Sequence, residues 1–281
     1  MAKPTYKELL DAGAHFGHLK KKWNPKMTPY IFMERKGIHI IDLNRTIESM
    51  ERAAKAMKQI ARSGKKIMFV ATKKQARHIV AEAAREVGMP YVTERWLGGM
   101  MTNFSTIRRS VKKMNNIDKI LADEAATSIT KKERLTLTRE RNKLEKVLGG
   151  IANLNRLPAA IFIVDIHHEH IAIAEAHKLG MRTFGIVDTN SDPNQVDFAI
   201  PANDDASRSI ELVVKYMTEA IQEGLDERRK NKDPRGGSGK KEQKAAPAAA
   251  QEQAPQAEAP ATTEAAPSTE TAADTETKTA E

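Results

Sequence analysis

The sequence predicts a doubly wound α/β fold, with a mostly parallel sheet of about five strands and an inserted antiparallel helical hairpin. Two observations predict the sheet. Residues 67–71 and 159–164 are continuous apolar runs, which are typical of strands buried on both faces, and segments with helical periodicity follow both runs. A third observation predicts the hairpin, because residues 104–148 contain two charged helical patterns and no strand pattern. Alternating strands and helices imply a sheet covered by helices on both faces.

The segment before this sheet should contain one helix, a β-hairpin and a second helix, at residues 6–12, 30–33 with 38–41, and 46–62. The first helix should turn Leu9 and Leu10 inward. Gly37 favours the tight turn of the β-hairpin. The second helix should begin after Asp42 or Asn44, since both side chains are good N-caps.

The alternating part of the chain should supply the five strands, at residues 67–71, 90–93, 159–164, 183–187 and 198–200. Three helices should accompany them. The first follows Thr72, which can act as its N-cap, and the second covers residues 169–179. The third extends from a cap at Asp204 or Asp205 through Leu225.

Residues 104–148 should form the inserted hairpin. Apolar residues recur every three or four positions on both helices, which is typical of an antiparallel coiled coil, here joined through residues 122–130. Because this apolar stripe is narrow, the two helices can bury it against each other. The sheet should therefore not need the hairpin to cover its own apolar side chains. The segment holds twelve Lys or Arg and six Asp or Glu, so the arm is basic. Charged coiled-coil faces are usually only solvated, and the charge alone does not establish an RNA contact.

The end of the chain differs in composition from the rest. From Asp226 onward there is no Val, Ile, Leu, Met, Phe, Trp or Tyr, so this stretch cannot bury enough apolar surface to offset the entropy of ordering it. We therefore expect a disordered low-complexity tail at residues 226–281. The other expected units are an α/β domain at residues 1–103 and 149–225, with a basic N-terminal extension, and the hairpin at residues 104–148.

Charge is distributed unevenly along the chain. The whole chain carries +9, and residues 245–281 hold seven acidic residues and one basic residue, so residues 1–244 carry +15. This excess favours a polyanionic partner, and nucleic acid is a better candidate than a membrane, because no apolar run approaches the roughly 20 residues of a membrane span. The chain has no cysteine for a disulfide or a thiolate metal site, and no signal-like leader, so we expect a cytoplasmic protein.

The first candidate RNA-binding segment covers residues 19–30. Four lysines surround one aromatic ring there: Lys20, Lys21, Lys22, Lys26 and Trp23. Two prolines disfavour an α-helix. Basic charge beside a flat ring can contact phosphates and stack on a base or sugar. A solvated loop with Trp23 turned inward explains the same residues about as well, and the overall basic charge favours RNA.

A second candidate segment lies at residues 94–104, where the α/β pattern meets the hairpin. Gly98 and Gly99 permit backbone angles closed to other residues, so the chain can turn sharply or approach another surface closely. Arg95 and Trp96 could then contact RNA. The alternative is that Trp96 and the following methionines fill the core. The basic residues just beyond, expected on the same RNA face, are Arg108, Arg109 and Lys112.

A magnesium-dependent enzyme is the main alternative function. Asp165 and Asp188 fall where strands should end, and carboxylates at the carboxyl ends of parallel strands often hold magnesium. Residues 188–193, however, are rich in side chains that form turns by bonding their own backbone. No nucleophile or phosphate-binding loop accompanies the two aspartates, so the enzyme is the less favoured hypothesis.

We expect no cofactor and no dedicated metal site. Six histidines occur in two groups, at His15 and His18, and at His167, His168, His170 and His177. Neither group has the spacing of a zincin site. A polar segment that binds metal incidentally is the better interpretation of both.

Several motifs occur in one order along the chain: AHFGH and WNPKM within residues 14–27, FVATKKQA at 69–76, RWLGGMMTNF at 95–104 and GIVDTNSDP at 185–193. Together they resemble the family of the bacterial small-subunit ribosomal protein two, the second of the S series. The resemblance implies a flavodoxin-like sheet with an inserted helical hairpin, no catalysis, and binding to small-subunit rRNA. It also implies contacts with other small-subunit proteins, including the large multi-OB-fold protein that captures mRNA.

Overall fold

The computed structural model describes residues 3–122 and 130–232. The helices are α1 Tyr6–Asp11, α2 Leu43–Arg62, α3 Lys74–Glu86, α4 Phe104–Ala122, α5 Lys131–Leu148, α6 His170–Lys178 and α7 Ser207–Lys232. The strands are β1 Phe16–Leu19, β2 Ile31–Arg35, β3 Ile38–Ile41, β4 Ile67–Val70, β5 Tyr91–Val92, β6 Ala160–Val164, β7 Arg182–Val187 and β8 Phe198–Pro201. Every predicted helix and strand is present. Within the described ranges, no helix carries an apolar stretch long enough to cross a bilayer.

The five strands of the main sheet lie in the order β5-β4-β6-β7-β8, and every neighbouring pair is parallel. This is the strand order of a flavodoxin-like sheet, in which the direction of winding reverses once. The expected doubly wound parallel sheet is therefore confirmed. The reversal falls between β4 and β6, so the carboxyl ends of these strands lie where such sheets place functional residues.

Alternate side chains along the strands face two separate cores. Phe69 and Phe162 face the first core, which α2, α3 and α7 cover, and their ring centroids are 5.4 Å apart. Met68 and Ile161 face the second core, which α6 and the base of the hairpin cover. All four side chains are buried, and each contributes roughly 1.5–3 kcal/mol to folding through burial. Both faces of the sheet are thus covered, as the continuous apolar runs predict.

A small antiparallel sheet, in the order β1-β3-β2, precedes the main sheet. The predicted hairpin of β2 and β3 is confirmed, and Lys36 and Gly37 adopt positive φ at its turn. Strand β1 is not among the predicted strands, because Gly17 and His18 make up half of it. Gly17 has a structural role of its own: a Cβ there would lie 2.5 Å from a methyl carbon of Thr189. The glycine lets β1 pack directly against the loop that follows β7.

The helices α4 and α5 pack against each other in antiparallel directions. Lys113 pairs with Glu140, and further along α4 the Leu121 carbonyl oxygen accepts a 2.8 Å hydrogen bond from the Arg134 guanidinium. The buried positions of α4 recur at the predicted spacing, at Ile107, Val111, Met114 and Ile117. Coiled-coil packing of the pair stays a prediction, and the predicted connection at residues 123–129 lies outside the described residues.

The base of the hairpin is part of the second core. Ile107, Val111 and Leu148 pack in the same cluster as the strand residues Met68 and Ile161. The base of the hairpin therefore helps to bury the sheet, and the expectation that the sheet does not need the hairpin to cover its apolar side chains is wrong for this part of the hairpin. The sequence pattern is misleading here because one apolar stripe serves both the partner helix and the sheet.

The last helix extends beyond its predicted end. α7 continues to Lys232, seven residues past residue 225. Its added turns carry charge rather than apolar side chains: Glu227 pairs with Lys58 at 2.8 Å, and the Arg228 guanidinium lies against Gly64. Ion pairs and side-chain stems therefore hold residues that composition alone assigns to the tail. The remainder of the predicted tail, residues 233–281, lies outside the described residues.

The predictions for the helix starts have mixed outcomes. Asp42 caps α2 as predicted, accepting a 2.9 Å hydrogen bond from the Asn44 amide. Thr72 does not cap α3, because the helix begins one residue later, with Lys73 at the N-cap position, and the Thr72 hydroxyl donates instead to the buried Glu169 carboxylate. In α1, Leu9 is buried as predicted, but Leu10 is 42% exposed.

Candidate nucleic-acid interface

One carboxylate organises the loop between β5 and α4. Glu175 on α6 is buried and accepts hydrogen bonds from Trp96 Nε1 and from the amides of Gly99, Met101 and Thr102, at 2.8–3.0 Å, and from the Thr102 hydroxyl at 3.1 Å. Burial alone would raise the pKa of Glu175, but these hydrogen bonds lower it below the ordinary value. Gly99 has φ +86, which a side chain would strain. The loop is therefore fixed to α6.

The structure corrects the expectation for Trp96. Its side chain is 7% exposed and packs with Met100 and Met101 in the second core. Because its indole nitrogen also donates to Glu175, the ring is not available to stack on a base in this conformation. The alternative interpretation, that the tryptophan fills the core, describes its position. Arg95, directly before it, is exposed and stays a candidate for RNA contact.

The lysine-rich segment is exposed but anchored at both ends. Lys20–Lys22 forms a 3-10 turn, and all three side chains are exposed. On either side, the amides of His18 and Asn24 each donate a 2.8 Å hydrogen bond to Thr189 in the loop after β7. A second 3-10 helix at Pro25–Tyr30 buries Met27 in the second core. The prolines thus exclude an α-helix, as expected, but still permit 3-10 turns.

Some lysines of this segment form ion pairs within the protein, and others do not. Lys20 pairs with Glu34 at 2.7 Å, and Lys26 pairs with Asp192 at 2.5 Å. Lys21 and Lys22 make no ion pair with any residue that the structure describes. Trp23 is half-buried, with its ring centroid 5.0 Å from that of His39. The ring is therefore partly covered by His39 and partly accessible to solvent, and its contact with RNA stays a prediction.

The basic residues of α4 emerge on the same side of the sheet. Arg108, Arg109 and Lys112 are exposed. Ile107 and Val111, which alternate with them, point into the second core, where Met27 of the lysine-rich segment also lies. Two basic segments that are distant in sequence are therefore fixed to one core.

The two aspartates that motivate the enzyme hypothesis do lie at strand ends. Asp165 directly follows β6 and has φ +67, a backbone conformation that is uncommon for a residue other than glycine. The Lys73 ammonium, which follows β4, lies 3.2 Å from the Asp165 carboxylate, 2.8 Å from that of Asp204 and 2.5 Å from that of Asp205. One lysine therefore neutralises carboxylates from two loops.

Asp188, at the end of β7, is held by a histidine. Its carboxylate lies 3.0 Å from Nδ1 of His18, and the other ring nitrogen of His18 lies 3.5 Å from Asp205. The hydrogen bond to Asp188 raises the pKa of His18 above its ordinary value. Sequence reasoning does not connect these residues, because His18 and Asp188 meet only through the packing of β1 on the loop after β7.

The charges in this cluster influence one another strongly. Burial, together with the charges of Asp188 and Asp165, raises the pKa of Asp204 to about 7. Burial would lower the pKa of Lys73, but its hydrogen bonds to Asp204 and Asp205 raise it above the ordinary value. The lysine is thus a permanent cation beside a carboxyl group that titrates near neutrality.

The cluster also has donors suited to a metal ion. His18, Asp188 and Asp204 each offer one ligand atom, and these atoms lie within 4.8 Å of one another. One Asp204 oxygen is buried without a hydrogen-bond partner among the described residues. One imidazole and two carboxylates are chemically able to bind a divalent cation. The sequence does not reveal this set, because its members are far apart in the chain, and the expectation of no dedicated metal site stays a prediction.

The other histidines do not assemble a comparable set. His167, His168, His170 and His177 are exposed, and within residues 3–122 and 130–232 only the group containing His18 brings three potential ligands together. Burial lowers the pKa of His15, whose Nδ1 has no hydrogen-bond partner in the described part of the chain.

The outer face of the small sheet is apolar and exposed. Phe16 and Met33 both lie beside Ile40 of the central strand, and Leu19 lies beside Ile38. Phe16, Leu19 and Met33 are about half exposed, and Phe32 at the bulge of β2 is 72% exposed. A group of large apolar side chains in solvent is typical of a protein-binding surface.

Comparison with known proteins identifies close relatives. A protein of Cytophaga hutchinsonii named "Small ribosomal subunit protein uS2" is 62% identical over 231 residues, which cover 82% of this chain and 91% of that protein. Proteins of the same name from Bacteroides fragilis and Phocaeicola vulgatus are 58% identical over 232 residues and 55% identical over 263 residues. These alignments cover 83% and 90% of this chain, and 84% and 94% of the respective relatives.

The family described as "Ribosomal protein S2" matches residues 9–224. The match includes both cores, the hairpin, the lysine-rich segment and the loop fixed by Glu175. The chain therefore belongs to the ribosomal protein S2 family.

Proposed function

We propose that this chain is a structural constituent of the small ribosomal subunit in the cytoplasm and binds small-subunit rRNA through one basic surface. The main basic surface, as we call it, consists of Lys20, Lys21, Lys22, Lys26, Arg95, Arg108, Arg109 and Lys112, with Trp23 at its edge. The observation that carries the proposal is that Met27 and Ile107 fix two separate basic segments to the same core. The names of the relatives support the same function.

The basic residues of the main basic surface are of two kinds, those that form an ion pair within the protein and those that do not. Lys20 and Lys26 already hold Glu34 and Asp192, so a phosphate would have to share or displace a carboxylate. Lys21, Lys22, Arg95, Arg108, Arg109 and Lys112 make no ion pair with any described residue. Such a cation can contact a phosphate, and so release counterions from the RNA, without first breaking an ion pair. We therefore expect these six residues to contribute most to RNA affinity.

The magnesium-dependent enzyme is not supported. The carboxylate of Asp165 already contacts the Lys73 ammonium, and that of Asp188 already contacts the His18 imidazole. The relatives carry the name of a ribosomal subunit protein rather than of an enzyme. The cluster at the carboxyl edge of the sheet is better explained as the anchor that joins β1, α3 and the loops after β6, β7 and β8.

Reconstitution with small subunits tests this function. The full chain is added to subunits depleted of their own copy of this protein, and co-sedimentation is measured as salt increases. An unrelated basic protein of similar net charge serves as the control. We expect stoichiometric co-sedimentation that persists at salt concentrations that release the control. Release of both proteins at the same salt concentration would contradict the proposal.

We propose a second role for the exposed apolar face of the small sheet, which is to bind a neighbouring small-subunit protein. The multi-OB-fold protein that captures mRNA is the candidate partner. Its retention on reconstituted subunits should fall when Met33, which lies beside Ile40 on this face, is replaced (Met33→Ser), and should not change with Leu135→Ser, an exposed leucine on α5. Equal retention by both variants would exclude this face.

A further inference from the structure

A basic groove lies at the amino edge of the main sheet, opposite the edge that holds the aspartates. A depression of about 790 Å³ is lined by residues that precede β4, β5 and β6. A second depression, of about 820 Å³, runs along the end of α5, at the base of the hairpin. The two share Arg85, Tyr91, Gly149 and Gly150, so they form one continuous surface, which we call the amino-edge groove.

The charge of the amino-edge groove is strongly positive. Its basic side chains are Lys65, Lys66, Arg85, Lys143, Lys146 and Arg156. Its two acidic residues, Glu94 and Glu145, are held by Arg77 and Arg141, neither of which lines the groove. Lys65, Lys143, Lys146 and Arg156 are exposed and make no ion pair with any residue in the described ranges. Four cations are therefore free to meet an anionic partner.

Gly150, Tyr91 and Arg85 are packed closely together in the part of the groove that the two depressions share. Gly150 packs so tightly on β5 that a Cβ there would lie 2.1 Å from the Tyr91 carbonyl oxygen. Arg85 is fixed beside it, since its Nε donates a 2.8 Å hydrogen bond to the Tyr91 hydroxyl and its guanidinium lies 5.2 Å from the ring centroid. Gly150 thus serves the packing of this segment on β5, and the fixed planar cation beside it can contact phosphate or stack on a base.

We propose that the amino-edge groove is a second RNA-binding surface, which receives the sugar-phosphate backbone of a small-subunit rRNA segment at the base of the hairpin. The inference rests on the proposed function and adds a second site, made of residues that are not part of the main basic surface. A continuous track of free cations across two depressions matches the repeated charge of an RNA backbone. A compact anion would need only one depression.

The first test is the salt dependence of RNA binding. The groove variant replaces Lys65, Lys143, Lys146 and Arg156 by Gln in the full chain. The matched control replaces four bases that are also exposed and unpaired within the described residues, on α1, α2 and α7: Lys7, Arg45, Lys55 and Arg208. Each lost phosphate contact should flatten the slope of log affinity against log salt by about 0.7–0.9, so the groove variant should lose about 3 units. The control should lose less than about half a unit.

The second test locates the RNA directly. The chain contains no cysteine, so Lys146→Cys and Lys55→Cys each introduce a single site for tethering an iron chelate that cleaves nearby RNA. In reconstituted subunits, we expect cleavage of small-subunit rRNA from position 146 and none from position 55. If the protein joins the subunit but position 146 gives no cleavage and the groove variant behaves like its control, the groove proposal is overturned and the proposed function stands. If the unmodified chain does not bind subunits or rRNA at all, both fail.

Discussion

The indole nitrogen of Trp96 donates a 3.0 Å hydrogen bond to the carboxylate of Glu175, 79 residues later in the chain. The same carboxylate accepts hydrogen bonds from three backbone amides of the loop that leads into α4. In the sequence, the motif at residues 94–104 resembles an RNA-binding loop. In the structure, its tryptophan instead holds the start of the hairpin against α6 and the second core.

Replacing Glu175 by Gln should destabilise the protein. The amide would place a donor against the N–H groups that now meet an anionic acceptor, and hydrogen bonds to charged groups are worth about 1.5–3 kcal/mol each. We expect a loss of about 2–3 kcal/mol in the free energy of unfolding, measured by urea denaturation at neutral pH. Glu145→Gln, at an exposed ion pair, is the control and should cost less than about 1 kcal/mol. Similar losses in the two variants would contradict the role of Glu175.

The pH dependence of this contact has a defined sign. Since the folded protein lowers the pKa of Glu175, its contribution to stability is present above the ordinary carboxyl range and is lost as pH falls through the lowered value. The difference in stability between the wild type and Glu175→Gln should therefore shrink as the solution becomes strongly acidic.

Lys73 should matter most when Asp204 is charged. The folded protein raises the pKa of Asp204 from 3.8 to about 7, so the folded state binds more protons than the unfolded state between these values, and stability falls as pH rises through that window. Lys73→Met removes the nearest cation. It should cost about 3 kcal/mol at about pH 8, and less at about pH 5.5, where Asp204 is protonated.

The double variant of Lys73→Met with Asp204→Asn is the control for this prediction. It should recover part of the stability at about pH 8, because it removes the uncompensated charge. Thermal unfolding at the two pH values checks the prediction. A loss from Lys73→Met that does not change with pH would contradict it.

The outer part of the hairpin should be dispensable for folding, whereas its base should not. Replacing residues 115–139 by a short glycine-containing linker keeps Ile107, Val111 and Leu148 in the second core. We expect this variant to unfold cooperatively and to resist limited proteolysis as the full chain does. Replacing residues 106–147 removes two of these three side chains and exposes the core beneath, so that variant should be cleaved rapidly. Equal resistance in both variants would show that the base contributes nothing to the fold.

Truncation after Lys232 should leave the fold unchanged. The segment removed contains no large apolar side chain, so it has nothing to contribute to either core. The melting temperatures of the truncated and full chains should agree within a few degrees. A larger decrease would show that the segment contributes to the folded state.

The main sheet could be predicted from the sequence because its signals are local. The runs at Ile67–Val70 and Ala160–Val164 are apolar at every position, as strands buried on both faces must be. Strand β1 carries no such signal, since Gly17 leaves room for Thr189 and the His18 side chain binds Asp188, so neither residue is apolar core. Its place in the small sheet depends on its contacts with β3 and with the loop after β7, which the local sequence does not indicate.

The candidate site could be predicted only in part, and for a related reason. Exposure of Lys21, Lys22 and the α4 bases follows from their charge. The burial of Trp96 depends on Glu175, and the neutralisation of Asp165 depends on Lys73, both of which are distant in sequence. The amino-edge groove likewise combines residues that precede three different strands, so only the tertiary structure brings them together.

The salt dependence of rRNA binding by a main-surface variant tests the central claim most directly. The variant replaces Lys21, Lys22, Arg108 and Arg109 by Gln in the full chain, and the control is the quadruple variant of Lys7, Arg45, Lys55 and Arg208. If the main basic surface contacts phosphates, the slope of log affinity against log salt should flatten by about 3 units in the variant and by less than about half a unit in the control. Equal slopes in the main-surface variant, the control and the wild type would contradict the claim that this surface binds RNA.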